Sequence, residues 1–162
     1  MSRLNAVIAR LTAQRDCLDW LATQLPDLTA PILELGLGNG RTYDHLRILF
    51  PKAPIYVFER EVGAHPSCIP PEEKLLLGDF RDTIPTAMDR IGAPAAFAHA
   101  DFGDGNPERT GKLADWLSSA LDPLLAPGAW IITDQKMTNP TWISIAPPKD
   151  VPAGRYFMWR KP

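Results

Sequence analysis

Between Pro31 and Gly40 the chain reads Pro-Ile-Leu-Glu-Leu-Gly-Leu-Gly-Asn-Gly, a short apolar run that ends in glycines at alternate positions. An apolar run bounded by proline and glycine is a buried strand. Glycines at every second position make a turn whose backbone another group can approach closely. Arg41 to Phe50 then carries Leu46, Leu49 and Phe50 on one helical face, and Pro51 stops it. Strand, glycine turn and helix open a βαβ unit, which commits the following segments to a parallel sheet.

The alternation continues along the chain. Ile55 to Phe58 reads as a second strand ended by Glu59, Leu75 to Leu77 as a third ended by Gly78-Asp79, Ala95 to Ala98 as a fourth, and Ala129 to Thr133 as a fifth. Asp82 to Ile91 reads as a helix. Asn106-Pro107-Glu108 starts another, with a cap, a proline at the first position and an acid at the positive end of the dipole. That helix is expected to run to about Leu125, with Pro127-Gly128 closing it. Val62 to Pro71, rich in proline, is expected to be a loop. Before the first strand, residues 2 to 24 place Leu4, Val7, Ile8, Leu11, Leu18, Leu21 and Leu25 near helical spacing, with Ser2 as cap. Trp142 to Ile145 and Tyr156 to Trp159 read as final strands. Only the loop Pro147 to Gly154 joins them, too short for a crossover helix, so they should pair antiparallel. The expectation is one α/β domain over residues 1–162, its N-terminal helix in 1–25. Its core is a doubly wound, seven-stranded, mostly parallel sheet of Rossmann-like kind with a terminal antiparallel hairpin.

Composition narrows the function classes. Hydrophobic residues make up 45% and charged residues 22% of the 162, with a formal net charge of -2. That balance is ordinary for a soluble globular domain and gives no bulk reason to expect nucleic acid as a partner. Cys17 and Cys68 have neither metal spacing nor the look of a disulfide framework. The N-terminus lacks a secretory signal, and no apolar run reaches membrane-spanning length. A cytoplasmic protein without a membrane partner is expected.

In an open α/β sheet, ligands bind beyond the carboxyl ends of the strands. The glycine turn Gly36, Gly38, Gly40 lies there, and the helix after it points free N–H groups the same way. A dinucleotide fingerprint needs a third glycine or alanine, but its place holds Arg41 counted from Gly36 and Tyr43 counted from Gly38. Glu59 closes the second strand, where an ionised carboxylate can accept from ribose hydroxyls. Glu34, the alternating glycines, Glu59, Gly78-Asp79-Phe80 and the Pro127-Gly128 turn occur in the order found in class I S-adenosylmethionine (SAM)-dependent methyltransferases, which the chain resembles from about Ala30 onward. The resemblance implies SAM as cofactor, bound by Glu34, Gly36, Gly38, Asn39, Gly40, Thr42, Glu59, Arg60, Gly78, Asp79, Phe80 and His99. In that family an acid at Asp79's position accepts from the adenine amino group. An NAD- or nucleotide-binding Rossmann enzyme and a non-catalytic SAM-binding subunit remain the alternatives.

Methyl transfer is an in-line displacement in which orientation supplies much of the acceleration. A general base is needed only for an acceptor that carries a proton. His99-Ala100-Asp101 follows the fourth strand on this reading, and His99 and Asp101 are the base candidates toward a small-molecule acceptor. The metal-dependent O-methyltransferases place an acid after the fourth strand and an Asp-Asn pair after the fifth. His99 and Asp134-Gln135 stand in those places and depart from the pattern, so no metal is expected even with Asp101 and Asp104 nearby. Substrate-covering insertions are absent, and Tyr156 to Trp159 is apolar without alternation. Part of that strand is therefore expected to face outward and to pair copies in a homo-oligomer, with the N-terminal helix as a second contact.

Overall fold

The structure is a computed structural model that describes residues 2–162. Helix α1 spans Arg3–Gln24, and Ser2 caps it by accepting from Asn5 N at 3.1 Å. Then follow β1 (Ile32–Leu35), α2 (Arg41–Leu49), β2 (Ile55–Glu59), β3 (Leu75–Leu77), α3 (Phe80–Thr83) and α4 (Ala87–Ile91). The chain ends with β4 (Ala95–Ala100), α5 (Pro107–Ala120), β5 (Leu125–Thr133), β6 (Ile143–Ile145) and β7 (Phe157–Arg160).

The seven strands lie in the order β3-β2-β1-β4-β5-β7-β6. The first five run parallel, and β7 enters antiparallel between β5 and β6. Strand order reverses between β1 and β4, which opens a crevice beyond their carboxyl ends. Helices cover both faces, so the strands alternate between two cores rather than between core and water. Leu33, Leu35 and Ile131 pack with Ile84, Ala87 and Leu117 on one face, while Ile32, Trp130 and Ile132 pack with Leu18, Leu21 and Leu46 on the other.

Several expectations are corrected. The helix expected over Asp82 to Ile91 begins at Phe80 and is divided by a 3-10 turn at Ile84–Thr86. Pro85 sits in that turn and has no N–H for a continuous ladder. Helix α5 stops at Ala120, and Pro123 directs Asp122–Leu124 into a 3-10 turn. Pro127 and Gly128 do not close a helix. They lie inside β5, where pairing with β4 jumps from Ala95↔Leu125 to Phe97↔Trp130. Strand β4 runs on to Ala100, which places His99 within the strand rather than after it.

The outward face expected of Tyr156 to Trp159 is also corrected. Tyr156 and Met158 are 1% exposed and Trp159 is 7% exposed. Unbroken apolarity here reflects an interior strand: Tyr156 and Met158 enter the core beneath α1 and α2, Trp159 the core beneath α5. The exposed large apolar residues are Leu4, Val7 and Ile8 on the first turns of α1, Ile48 on α2, Ile69 in the loop after β2, Leu77 on β3 and, on the hairpin itself, Ile143 of β6.

Candidate active site

The site starts with the turn after β1. Gly36 (φ 94°), Gly38 (φ 50°) and Gly40 (φ 82°) all occupy the left-handed region. A Cβ on Gly36 would stand 2.5 Å from the carbonyl oxygen of Asp101, and one on Gly40 would stand 2.4 Å from Cβ of Cys68. At Gly38 a Cβ would meet nothing within 4 Å. Gly36 and Gly40 are therefore needed for packing, and Gly38 opens onto free space.

Glu59 braces this turn. Its Oε2 accepts from Leu37 N (2.8 Å) and Gly38 N (3.1 Å), and its Oε1 from Arg60 N (2.7 Å) and Glu61 N (3.2 Å). Asp79 caps α3 through Oδ1, which accepts from Arg81 N at 2.9 Å. Its Oδ2 has no donor among the described residues.

Two clefts flank the turn. One, of about 540 Å³, is lined by Glu59, Arg60, Gly78, Asp79 and Phe80 on the β2–β3 side and by Phe102, Asp104 and Arg109 opposite. The other, of about 350 Å³, is lined by Arg10, Leu11 and Gln14 of α1, by Asn39, Arg41 and Thr42 at the start of α2, and by Asp134. Gly36, Gly38, Asp101 and Gly103 belong to both. Helix α2 has Gly40 at its cap and no side-chain cap bond, so its first N–H groups face the second cleft uncapped.

At the junction Asp101 Oδ2 accepts from Arg10 Nη1 at 2.5 Å and from Gln14 Nε2 at 3.0 Å. Asp134 accepts from the N–H groups of Phe102 and Gly103, each at 3.3 Å, and from Gln135 Nε2 at 2.7 Å. Burial, reinforced by the neighbouring Asp101 carboxylate, holds the Asp134 carboxyl above the usual range. Among the described residues no cluster of three or more His, Cys, Asp or Glu is disposed to hold a metal ion.

Behind the junction lies a buried pair. His99 Nδ1 is 2.8 Å from Glu34 Oε2, across the β1–β4 register. The two residues are 0% and 1% exposed. Neither lines a cleft, so His99 stands behind the site rather than in it, whereas Asp101 faces both clefts. Burial opposes a charge on the imidazole. The Glu34 carboxylate, with Asp101 and Asp134 beyond it, outweighs burial and raises the His99 pKa. Glu34 Oε1 has no hydrogen-bond partner among the described residues.

The remaining residues expected from sequence, Glu59, Arg60, Gly78, Asp79 and Phe80 together with Gly36, Gly38, Asn39 and Thr42, do converge on the clefts; Gly40 stands one step behind them, packed on Cys68. Arg10, Gln14 and Tyr156 were missed, because α1 and the hairpin reach the site from opposite ends of the chain. Gln14 did carry a signal: it heads the buried stripe Gln14, Cys17, Leu18, Leu21 of α1, and a polar residue in such a stripe is the informative exception.

An α/β sheet in this order, with a glycine turn at the switch point, an acid at the end of β2 and acids after β3 and β4, defines a SAM-dependent methyltransferase of the class I fold. The family described as S-adenosyl-L-methionine methyltransferase matches residues 1–161, and the chain belongs to it. It is 41% identical, with a TM-score of 0.91 and 99% of each chain covered, to the crystal structure of the S-adenosyl-L-methionine methyl transferase from Silicibacter pomeroyi DSS-3. An RNA methyltransferase from Salinibacter ruber, in complex with S-adenosyl-L-homocysteine, shares the fold at TM-score 0.55 and 15% identity over 90% of each chain. TrmN from Thermus thermophilus shares it at TM-score 0.59 and 18% identity, over 94% of this chain and 49% of that one. No curated protein sequence matches the chain. Among the described residues no helix is long and apolar enough to cross a membrane.

Proposed function

We propose that the two clefts form one site in which SAM lies across the glycine turn and donates its methyl group to a small-molecule acceptor entering beside α1. The observation that carries this reading is the junction itself: Gly38, with open space above it, and Asp101 belong to both clefts. On this reading Glu59 takes the ribose hydroxyls, exchanging some of its contacts with the turn for them. The unpartnered oxygen of Asp79 takes the adenine amino group beside Phe80. Asn39, Thr42 and the open start of α2 face the amino-acid end of the cofactor. When bound, SAM supplies an activated methyl group on a positively charged sulfur. The protein's part is to align donor and acceptor, to keep water from the junction, and to accept a proton at Asp101 where the acceptor carries one.

A small acceptor is supported by the size of the second cleft, about 350 Å³, by the formal net charge of -2, and by acids interleaved with the arginines along both clefts. The free thiols Cys17 and Cys68 fit a cytoplasmic setting. Among the exposed apolar residues, Leu4, Val7 and Ile8 are the ones we take to pair two copies, because they lead along α1 toward Arg10 and Leu11 of the second cleft.

Thermal unfolding with SAM, S-adenosylhomocysteine and NAD tests the cofactor site. A ligand at one hundred times its dissociation constant stabilises the fold by about 2.7 kcal/mol. SAM and its product should stabilise and NAD should not. Formation of S-adenosylhomocysteine from a metabolite pool, with none from bulk RNA, is the result expected for the acceptor; the reverse pattern would replace it with RNA.

A further inference from the structure

Asp101 faces both clefts, and its two oxygens are held differently. Oδ2 is anchored by Arg10 and Gln14, whereas no described residue donates to Oδ1. Gln14 is held in turn, its Nε2 lying 3.4 Å from His99 Nε2. An amide NH2 group carries two donors and no acceptor. If the amide were turned round, its carbonyl oxygen would face the Asp101 carboxylate. With the imidazole neutral, the network assigns one N–H to Asp101 and the other to a bare His99 Nε2, with the ring proton on Nδ1 toward Glu34. Tyr156 Oη, 3.5 Å from the same Nε2, and its ring, stacked on the imidazole at 9°, close the remaining side.

A buried ionisable pair is weak as a stabilising device, since apolar residues of similar size fill such a place as well or better. Here it also leaves Glu34 Oε1 without a partner among the described residues. Its neighbours on β1 and β4, Leu33, Leu35, Ala98 and Ala100, are all apolar. What the pair does provide is a fixed acceptor for Gln14.

We propose that Glu34, His99 and Gln14 form a buried positioning chain that holds Asp101 with one oxygen anchored and the other turned to the junction, where the cofactor's sulfonium charge belongs. Asp101 is then the catalytic residue, and Glu34, His99 and Gln14 act through it. The inference rests on the reading of the clefts as one SAM site.

S-adenosylhomocysteine lacks the methyl group and positive charge of SAM, so the ratio of the two affinities reports on negative charge at the junction. A general loosening of the fold moves both affinities together and leaves the ratio alone. Calorimetry with each ligand should show Asp101→Asn lowering the SAM preference about tenfold. Gln14→Met, which conserves volume and removes both donors, should lower it about threefold. His99→Asn keeps an N–H for Glu34 and removes the acceptor for Gln14, and should match Gln14→Met. The double variant Gln14→Met/Asp101→Asn should fall no further than Asp101→Asn alone. Should His99→Asn fail to fold, Gln14→Met and the double variant decide the matter. An unchanged ratio in Gln14→Met, or losses that multiply in the double variant, would overturn the chain. Wild-type protein that binds neither ligand would instead remove the site reading, and the chain with it.

Discussion

The three glycines of the turn separate into two roles, and a pair of alanine substitutions tells them apart. At Gly38 the added methyl group meets nothing within 4 Å, and φ is 50°. That angle lies within the left-handed well that an L-residue enters at a cost of roughly 1–2 kcal/mol. For a chain of this size the loss lowers the melting temperature by only a few degrees, about 2–4 °C per kcal/mol. Gly38 N keeps its bond to Glu59, so the turn stays braced. The methyl group projects into the junction, however, where the cofactor must lie against the backbone. Affinity for SAM should fall at least tenfold, about 1.4 kcal/mol. At Gly36 the same methyl group would lie 2.5 Å from the backbone oxygen of Asp101, a residue tied to β1 by its N–H bond to Leu35 O. Something must shift there, and Gly36→Ala should lose stability well before affinity is considered. Urea unfolding gives the stabilities and calorimetry the affinities. Gly38→Ala protein that binds SAM as the wild type does would show that the ligand does not pass over this turn.

Other outcomes follow from the same geometry. Glu59→Gln sets an NH2 group against backbone N–H groups that now share a carboxylate. It should cost about 1–3 kcal/mol of stability and at least tenfold in SAM affinity; an unchanged affinity in calorimetry would remove the ribose assignment. His99 faces Glu34 on β1, Asp101 and Asp134 at the ends of β4 and β5, Tyr156 before β7, and Arg10 and Gln14 on α1. Because its folded pKa is raised, His99 gains a proton on Nε2 as pH falls through the folded value, so that Gln14 loses its acceptor there. This charged form adds stability that is complete below about pH 6.5 and is lost as pH rises through the folded value. Urea titrations from pH 5.5 to 8.5 should show this slope in the wild type and not in His99→Asn; equal slopes would refute it. Light scattering should report a mass above the 17.9 kDa of one chain, returning to that mass in Leu4→Glu/Ile8→Glu; wild-type protein that stays at one chain's mass at high concentration would end the oligomer reading.

Much of the fold was legible because its signals are local. β3 falls on Leu75–Leu77 as expected. The stretch Val62 to Pro71 is a loop holding one short 3-10 turn at Pro66–Cys68, as its prolines require. The antiparallel hairpin followed from the lack of room for a crossover. What misled was punctuation whose meaning depends on neighbours. Pro127-Gly128 looks like the end of a helix in isolation, but it lies in β5, where Gly128 N bonds to Lys161 O at 3.0 Å, a partner distant in the chain. The exposure of Leu4, Val7 and Ile8 was equally hidden. Periodicity places them on one face of α1, but only the packed fold shows that this end of the face is exposed.

The site shows how one strand's length changes a residue's role. Ending β4 at Ala98 leaves His99 as the first residue of a ligand-facing loop, and a histidine there reads as a base. With β4 continued to Ala100, pleat and register turn His99 toward Glu34 on β1, and Asp101 becomes the first residue to leave the sheet at the crevice. No local signal marks that difference, because Ala95 to Ala100 is small and apolar apart from His99 itself, and small apolar residues suit a strand or a loop equally. The decision comes from β1 and β5, whose Leu35 and Thr133 still pair with Ala100. The chemistry follows the register: a histidine sealed between two cores exchanges protons only through the groups that enclose it, whereas the aspartate two residues on meets both clefts. The cleft-facing group is therefore set by how far its neighbouring strands extend, which motif spacing within one segment does not contain.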